Sequence, residues 1–279
     1  MDELCQGLKT TVATALEEDI GSGDVTASLI APETMAMANI LLREDALICG
    51  RPWFDQAFLQ RAPRTQINWA IEEGTLQPAE TVLCTIHGTA RDLLSAERVA
   101  LNFLQLLSGT ATTTHHYVKA LQGTSAQILD TRKTLPGLRR AQKYAVRCGG
   151  GKNHRIGLYD QVLIKENHIA AAGSITAAVS KVRELHHTMT VEVETESLNE
   201  FREALATSAD IIMLDNYSLE DMKTAVRLNN GQKKLEASGN VDLNTVRSIA
   251  ATGVDYISSG ILTKNVQSID LSMRIVEQR

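Results

Sequence analysis

The segment TVEVETESLNEFREALATSADIIMLDNYSLEDMKTAVRLNNGQKKLEA, residues 190–237, decides the fold class of this chain. Short, mainly apolar runs predict strands at Thr190–Glu194, Asp210–Leu214 and Lys234–Ala237. Patterns with the helical period lie between them, at Leu198–Leu205 and Leu219–Leu228. Strands that alternate with helices of this length are typical of parallel β/α units, so the segment predicts an α/β protein.

The same alternation extends outward on both sides of this segment. Further strands are predicted at Ala126–Asp130, Gln161–Lys165 and Val254–Ser258, and further helices at Leu138–Arg147, Ile175–Leu185 and Leu243–Ala251. Six strands are too few for a standard eight-stranded barrel. The second half of the chain is therefore predicted to form an incomplete parallel α/β barrel.

The first half of the chain has a different texture, with a mixture of helices and strands that suggests separate layers. Helices are predicted at Asp2–Glu18, Pro52–Gln60 and Arg91–Leu121, the last with a break at Ser108-Gly109, and strands at Met37–Cys49, Thr65–Ile71 and Glu80–Gly88. Apolar and polar residues alternate again over Ile269–Val276, which predicts a strand that returns to this first domain.

Length and composition restrict the function classes. A chain of 279 residues suggests about two domains. The hydrophobic content of 43% and charged content of 22% exclude a disordered chain, and the net charge of −5 argues against a nucleic-acid coat or a polybasic membrane binder. The acidic opening Met1-Asp2-Glu3 does not resemble a signal peptide, and the longest uncharged stretch is too polar to span a membrane. Four cysteines without zinc spacing predict reduced thiols and a cytoplasmic protein.

Polar side chains follow every predicted strand of the second half, where catalytic groups converge in β/α barrels. The six strands end in Thr131-Arg132-Lys133, in Lys165-Glu166-Asn167-His168, in Glu192 and Glu194, in Asp215-Asn216, in Ser238-Gly239-Asn240 and in Ser258-Ser259-Gly260. Roles as helix N-caps would explain Asp215 alone or Ser238 alone. They do not explain Arg132, Lys133 and Lys165, because cations oppose the positive end of a helix dipole. We therefore favour a binding site.

The charge of this site is positive. Between Arg132 and Lys165 the chain carries nine Lys and Arg residues and one acid, Asp160, within an acidic protein. Such a concentration predicts a small polyanionic ligand rather than a long nucleic acid. Arg140 and Lys143 can instead be explained as charged residues on the solvent-exposed face of a helix. Within the segment, Gly149-Gly150-Gly151 precedes Lys152-Asn153-His154-Arg155, and such a loop could wrap an anion.

Two acids and two small-residue turns complete the predicted site. Glu194 and Asp215 could hold Mg²⁺ through water, bind sugar hydroxyls or stabilise positive charge at a sugar carbon, and each could also pair with a nearby Lys or Arg. His154 is a candidate proton donor or substrate ligand. Ser238-Gly239-Asn240 and Ser259-Gly260-Ile261 follow the last two strands, where barrels commonly bind phosphate on backbone N–H groups.

Over essentially its whole length the chain resembles the quinolinate phosphoribosyltransferase family, the carboxylating nicotinate-nucleotide pyrophosphorylases. The motifs that carry the resemblance are Glu18–Gly21, Gly23–Thr26, Glu97–Asn102, Asp130–Thr134, Pro136–Arg139, Gly149–Arg155, Glu192–Glu194, Leu214–Asn216, Glu236–Gly239 and Ser259-Gly260. The resemblance implies transfer of phosphoribose from phosphoribosyl pyrophosphate to quinolinate. The products are nicotinate mononucleotide, pyrophosphate and CO₂, in a Mg²⁺-dependent step of NAD biosynthesis.

The resemblance also implies a type II phosphoribosyltransferase architecture. An α/β sandwich domain, residues 1–109 with 265–279, joins an α/β barrel catalytic domain, residues 110–264. It further implies homodimers or higher multiples whose active sites are shared between chains, with no nucleic-acid or membrane partner. A single departure from the family pattern is noted at Asn240, where many relatives have Gly. Asn tolerates the left-handed conformation, so the phosphate site is expected to survive.

Carried over by position, the family's site residues fall on the motifs above. The resemblance implies that quinolinate is held by Arg132, His154, Arg155 and Lys165, with Thr131 beside them, and that Arg98 reaches the neighbouring subunit's site. The resemblance further implies that Lys133 contacts phosphoribosyl pyrophosphate and that Glu194 and Asp215 bind ribose hydroxyls and Mg²⁺. Lys133, Glu194 and Asp215 are thus the expected catalytic residues. The 5′-phosphate is expected on Ser238, Gly239, Asn240, Ser259, Gly260 and Ile261.

Two rival functions share part of this pattern. A related transferase tied to molybdenum metabolism has the same fold, but it resembles this chain less over Lys152-Asn153-His154-Arg155. A non-enzymatic regulator that binds a phosphorylated metabolite would not need Glu194 and Asp215 together with the complete cationic set. Both considerations favour the quinolinate enzyme.

Overall fold

The computed structural model describes residues 3–278, so the predicted helix start at Asp2, the opening Met1 and the final Arg279 lie outside the described residues. Two compact units are present. The first comprises residues up to His115, Leu135–Gly150 and the segment from Asn265, and the second comprises His116–Thr134 and Gly151–Lys264. Residues 135–150 belong to the first unit in the structure, whereas the sequence-based prediction assigns them to the barrel. The predicted domain limits stay a prediction.

The helices and strands are numbered here in chain order. The elements before residue 121 are α1 (Leu8–Ile20), β1 (Met35–Leu42), β2 (Ala46–Leu47), α2 (Arg51–Arg61), β3 (Gln66–Trp69), β4 (Leu76–Gln77), β5 (Val82–Thr89) and α3 (Ala90–Ala120). The elements after it are β6 (Gln127–Leu129), α4 (Arg139–Cys148), β7 (Val162–Ile164), α5 (Glu166–Ala172), α6 (Ile175–Leu185), β8 (Val191–Thr195), α7 (Leu198–Leu205), β9 (Ile211–Asp215), α8 (Leu219–Asn229), β10 (Lys234–Ser238), α9 (Val246–Ala250), β11 (Tyr256–Ser258), α10 (Ile261–Lys264) and β12 (Leu271–Gln278).

The first unit is built on a four-stranded antiparallel sheet with the order β12-β1-β5-β3. Alternate residues of β1 are buried, Ala36, Ala38, Ile40 and Leu42, so one face of the strand contributes to the core. The tail strand β12 pairs with β1, and Leu271 lies opposite Leu42. The predicted return of the tail to the first domain is confirmed.

Helix α3 runs without interruption for 31 residues, so the predicted break at Ser108-Gly109 is wrong. Both residues instead contribute to the packing of this helix against other segments of the chain. A Cβ at position 109 would collide with the backbone carbonyl of Gln267, so the glycine permits close approach of two backbone segments. The Ser108 hydroxyl is buried and accepts a hydrogen bond from the backbone N–H of Cys49 at 2.9 Å.

The second unit contains one parallel sheet of six strands in the order β6-β11-β10-β9-β8-β7. All six strands that the sequence predicts are present. Since β6 and β7 are the two edges, the strands form an incomplete barrel. The helices α6 and α7 have the predicted bounds, and each begins at a serine whose hydroxyl accepts a backbone N–H: Ser174 from Ala177, and Ser197 from Glu200. Two helices that the sequence analysis missed, α5 and α10, follow β7 and β11 directly.

Two further predictions concern the whole of the described chain. No helix among residues 3–278 combines the length and apolarity that a bilayer crossing requires. Cys5, Cys49, Cys84 and Cys148 are all free thiols, as the cysteine spacing predicts.

Candidate active site

The carboxyl ends of the parallel strands surround a cavity of about 320 Å³ in the second unit. Parallel strands place their carboxyl ends at one edge of a sheet, so side chains distant in sequence converge there. The cavity, called the strand-end pocket below, is lined by Thr131, Arg132, Lys133, His154, Arg155, Leu163, Lys165, Glu194, Met213, Asp215, Glu236, Ser238 and Ser258.

Most of the predicted site residues line this pocket. They are Thr131, Arg132, Lys133, His154, Arg155, Lys165, Glu194, Asp215 and Ser238. Gly239 and Asn240 continue directly from β10, and Ser259, Gly260 and Ile261 continue from β11. Arg98 is exposed on α3 and is not among the described residues that line the pocket.

The positive charge of the pocket comes from four side chains rather than from the whole basic segment. Arg132, Lys133, Arg155 and Lys165 line the pocket. The cations of α4 belong to the first unit, and Lys143 is completely buried there. The cations between residues 132 and 165 therefore do not all line this pocket, and the predicted solvated helix face is wrong for Lys143. The density of charge along the sequence could not show which cations line the pocket, because the chain leaves the second unit between residues 134 and 151.

Two guanidinium groups lie close enough to affect each other's charge. Partial burial, followed by the charge of Arg132, lowers the pKa of Arg155. The Arg155 side chain also donates a hydrogen bond to the carbonyl of Gln161 at 3.4 Å. Repulsion between neighbouring cations is relieved when an anion binds between them, so this part of the pocket is suited to a carboxylate or phosphate.

The loop before the pocket is held in place by a buried carboxylate. Asp130, at the end of β6, accepts hydrogen bonds from the Asn153 side chain at 2.7 Å and from the backbone N–H of His154 at 2.8 Å. The glycines of this loop have packing roles as well, since a Cβ at Gly149 would come 2.7 Å from the side chain of Thr114. Asp130 therefore positions His154 and Arg155 at the pocket.

The turns after β10 and β11 contain the residues predicted to bind phosphate. Gly239 and Asn240 both have positive φ, 97° and 49°. A Cβ at Gly239 would collide with the Asn216 side chain, which requires glycine at this position. Asn240 adopts the left-handed conformation, as the sequence analysis expects. After β11, the Ser259 hydroxyl accepts the N–H of Ile261 at 3.3 Å, at the start of α10.

Two carboxylates lie on neighbouring strands at the pocket. Glu194 belongs to β8 and Asp215 to β9. The Lys165 ammonium contacts Glu194 at 2.6 Å, so one of the expected ion pairs is formed, and Asn216 donates to Asp215 at 2.7 Å. Carboxylate oxygens are the donors that Mg²⁺ prefers when it keeps several water ligands. The residues therefore fit a magnesium ion.

Two of the pocket residues, His154 and Glu236, form a buried ionisable group with Glu192, and neither Glu192 nor Glu236 is among the predicted site residues. The Nε2 atom of His154 is 3.0 Å from Glu192 and 3.6 Å from Glu236. Glu192 and Glu236 are 0% and 1% exposed. Burial, reinforced by the charge of Glu192, raises the pKa of Glu236 to about 8. A carboxylate inside an otherwise apolar strand, as in VEVET and KLEAS, is the sequence signal that could have identified both.

A larger cavity of about 520 Å³ lies in the first unit. The described residues that line it include no Lys, Arg or His, and they are mainly threonines and apolar side chains. It lacks the convergent cations of the strand-end pocket, which makes the latter the better candidate for an anionic ligand.

Comparison with known proteins identifies the family. The sequence profile of the quinolinate phosphoribosyl transferase N-terminal domain matches residues 24–108, and that of the C-terminal domain matches residues 110–274. The chain belongs to the quinolinate phosphoribosyltransferase family. Its relatives include the probable carboxylating nicotinate-nucleotide pyrophosphorylases of Bacillus subtilis and Synechocystis, 42% and 44% identical. The alignments cover 92% and 94% of this chain and 90% of each relative.

Solved structures of the quinolinate phosphoribosyltransferase family have the same fold. The nicotinate-nucleotide pyrophosphorylase from Francisella tularensis superposes with a TM-score of 0.95 and 45% sequence identity, over 99% of each chain. This family membership confirms the resemblance drawn from the motifs. It also favours the quinolinate enzyme over the molybdenum-related transferase and the non-enzymatic regulator.

Proposed function

We propose that the strand-end pocket is where this member of the quinolinate phosphoribosyltransferase family binds both substrates and carries out their reaction. The observation that carries the proposal is the meeting of four cations and two accessible acids at the ends of the parallel strands. Quinolinate contributes two carboxylates and phosphoribosyl pyrophosphate contributes three phosphoryl groups, so the cations match the charge of the substrates. The acids match the positive charge that develops on the ribose.

Quinolinate is assigned to the side of the pocket that carries the paired guanidinium groups. Arg132 and Arg155 can each hold a carboxylate through two parallel hydrogen bonds. Lys165, already in contact with Glu194, supplies a third cation. Thr131 and His154 complete this side. The ring nitrogen of quinolinate then faces the ribose carbon to which it becomes bonded.

Phosphoribosyl pyrophosphate is assigned to the other side of the pocket. Its 5′-phosphate lies on the turns Ser238-Gly239-Asn240 and Ser259-Gly260-Ile261, as at the phosphate sites of other barrels. Glu194 and Asp215 bind the ribose hydroxyls, and they would also hold Mg²⁺, through water. When bound, Mg²⁺ would neutralise charge on the pyrophosphate leaving group. Lys133 assists the same leaving group.

The reaction follows from these positions. The bond between the ribose carbon C1 and pyrophosphate breaks, and positive charge builds up on the sugar, where Glu194 and Asp215 stabilise it. The ring nitrogen of quinolinate attacks C1 and becomes a pyridinium. The positive charge on the nitrogen stabilises the electron pair left on the adjacent ring carbon, so the carboxylate on that carbon leaves as CO₂. No covalent enzyme intermediate is required.

The assembly and location of the chain are part of this proposal. Arg98 is exposed and is absent from the lining of its own chain's pocket, which supports a role in a partner subunit's site. We therefore propose a homodimer, or a multiple of it, with shared active sites. A cytoplasmic location is proposed from the reduced thiols.

The decisive test is incubation of the purified chain with quinolinate, phosphoribosyl pyrophosphate and Mg²⁺, with single omissions as controls. Nicotinate mononucleotide, pyrophosphate and CO₂ should appear in equal amounts, and only when all three are present. Binding of phosphoribosyl pyrophosphate without turnover would support a regulator. Turnover of another pyridine or pyrimidine acid, but not of quinolinate, would contradict the assigned substrate.

A further inference from the structure

We propose that Glu236 is the acid that protonates C2 of the pyridinium ring after CO₂ has left. This inference rests on the proposed function, and it assigns a role to a residue of the same pocket that the reaction above does not use. Glu236 lies in the middle of β10, lines the strand-end pocket and belongs to the buried group with His154 and Glu192.

The chemistry requires such an acid once in each turnover. When the bond between C2 and its carboxylate breaks, the electron pair remains on C2 and gives an ylide beside the positive nitrogen. The ylide takes a proton from the Glu236 carboxyl group and becomes the C2–H of nicotinate mononucleotide. Glu236 is left as a carboxylate, and it regains a proton from solvent once the product has gone. No oxidant or further reactant is needed.

Glu236 lines the pocket, although its carboxyl group is buried. The residue is 1% exposed, yet neither oxygen of its carboxyl group has a hydrogen-bond partner among the described residues. A buried carboxyl group without partners is costly in the charged form. A group that protonates a ligand atom needs such an arrangement, because its O–H must be directed at the ligand rather than at the protein.

Charge balance explains why Glu236 carries the proton. The backbone N–H of Arg155 donates to Nδ1 of His154 at 2.7 Å, so the proton of the neutral ring lies on Nε2. That atom is directed at Glu192, which also accepts from Gln161 at 2.9 Å. Glu236 shares the same buried site with no comparable donor. Burial and the charge of Glu192 raise its pKa accordingly, which keeps Glu236 neutral at pH 7.

The other proton carriers of the pocket are less suited to this step. The Nε2 proton of His154 is held by Glu192. Lys165 is bound to Glu194, and Lys133 is exposed at the side assigned to the pyrophosphate. Glu236 is also distinct from the acids assigned to Mg²⁺, because the strand register places Met213 between Glu194 and Glu236 across the sheet.

The test compares Glu236→Gln with the wild-type enzyme. Glutamine keeps the size and a hydrogen-bond donor but has no proton to transfer. We expect kcat to fall about 100-fold or more, with the KM for quinolinate nearly unchanged. In an equal mixture of H₂O and D₂O, the ratio of hydrogen to deuterium at C2 of the product should also change, because another donor replaces Glu236. The matched control is Glu184→Gln, an exposed acid of α6, which should behave as wild type.

Glu236→Asp, which keeps a transferable proton, should remain slower than wild type but retain its isotope ratio at C2. Wild-type kcat in Glu236→Gln, or an unchanged isotope ratio in that folded variant, would overturn the inference while leaving the proposed function intact. If the wild-type chain itself forms no nicotinate mononucleotide, the proposed function fails instead. The two failures are thus distinguished by the wild-type reaction alone.

Discussion

Each unit contains a trio of potential ligand atoms that lie within 4.8 Å of one another, yet one acid of each trio differs sharply from the other in its hydrogen bonding. In the first unit, Glu73 lies with Cys49 and Cys148. Its carboxylate accepts from the backbone N–H of Gly50 at 2.8 Å, from that of Arg51 at 3.3 Å and from the Tyr144 hydroxyl at 3.1 Å. In the second unit, the Glu236 carboxyl group has no hydrogen-bond partner among the described residues.

This difference separates a structural acid from a chemical one. Glu73 satisfies the unpaired N–H groups at the start of α2, where negative charge is favourable. Three of its about four lone-pair sites already accept hydrogen bonds from the protein. Glu236 retains its full capacity and lines the strand-end pocket. The closeness of acids, cysteines and histidines to one another is therefore a weaker guide to function than the number of hydrogen bonds that each group can still form.

The largest expected effect concerns Arg98. This residue belongs to the first unit, whereas the other residues assigned to the reaction belong to the second unit. Arg98→Ala and Lys165→Ala should each be nearly inactive alone. Mixed in equal amounts and reassembled, they should recover about a quarter of wild-type activity, because about half of the dimers are mixed and each has one intact site. Steady-state rates measure the recovery, and Arg64→Ala, an exposed arginine of the first unit, is the control. No recovery after proven subunit exchange would mean that Arg98 serves its own chain or no site.

The next effect concerns the cationic lining of the pocket. Arg155→Ala should weaken quinolinate binding by about 2–5 kcal/mol, since one partner of a charged contact is lost. Binding of phosphoribosyl pyrophosphate should remain largely intact. Calorimetry with each substrate measures both. Unchanged quinolinate affinity would remove Arg155 from the site.

A pH series tests the state of Glu236 without any substrate. Its pKa of about 8 in the folded protein lies above the ordinary 4.5 of an unfolded chain. The contribution of protonated Glu236 to the stability of the fold is complete below pH 4.5 and is lost as the pH rises through 8. The free energy of unfolding of wild type should therefore decrease over this range relative to Glu236→Gln, by on the order of 4 kcal/mol. Denaturant titrations at several pH values measure it, and parallel curves would show that Glu236 is charged in the fold.

The smallest effect belongs to the structural trio. Glu73→Gln should lower the free energy of unfolding by about 1–3 kcal/mol, because its charged contacts to the start of α2 are lost, and kcat should not change. Glu72→Gln is the matched control, since the Glu72 side chain is 90% exposed. A large loss of kcat in folded Glu73→Gln would erase the distinction between the two trios.

Local pattern was sufficient for much of the fold and the pocket. The parallel strands are short apolar runs, and the serine caps of α6 and α7 lie at the predicted starts. The residues at the strand ends could be predicted to converge, because parallel strands share one edge. Most of the predicted site residues accordingly line one cavity.

Two of the errors, at Gly109 and at Lys143, come from contact between residues distant in sequence. Gly109 suggested a helix break, but its role is to admit the backbone at Gln267. The charges of 132–165 suggested one surface, but the chain passes from one unit to the other within that segment and buries Lys143. Neither packing partner is visible in a local window of sequence.

The order of the parallel strands, the family and the polar groups at the strand ends could be predicted from the sequence, because periodicity and motifs are local properties of the chain. Only the tertiary structure decided which charges share a cavity, and which carboxyl groups have their hydrogen bonds satisfied. The physical reason is that burial raises the pKa of Glu236, while backbone N–H groups satisfy Glu73, and both depend on neighbours supplied by folding.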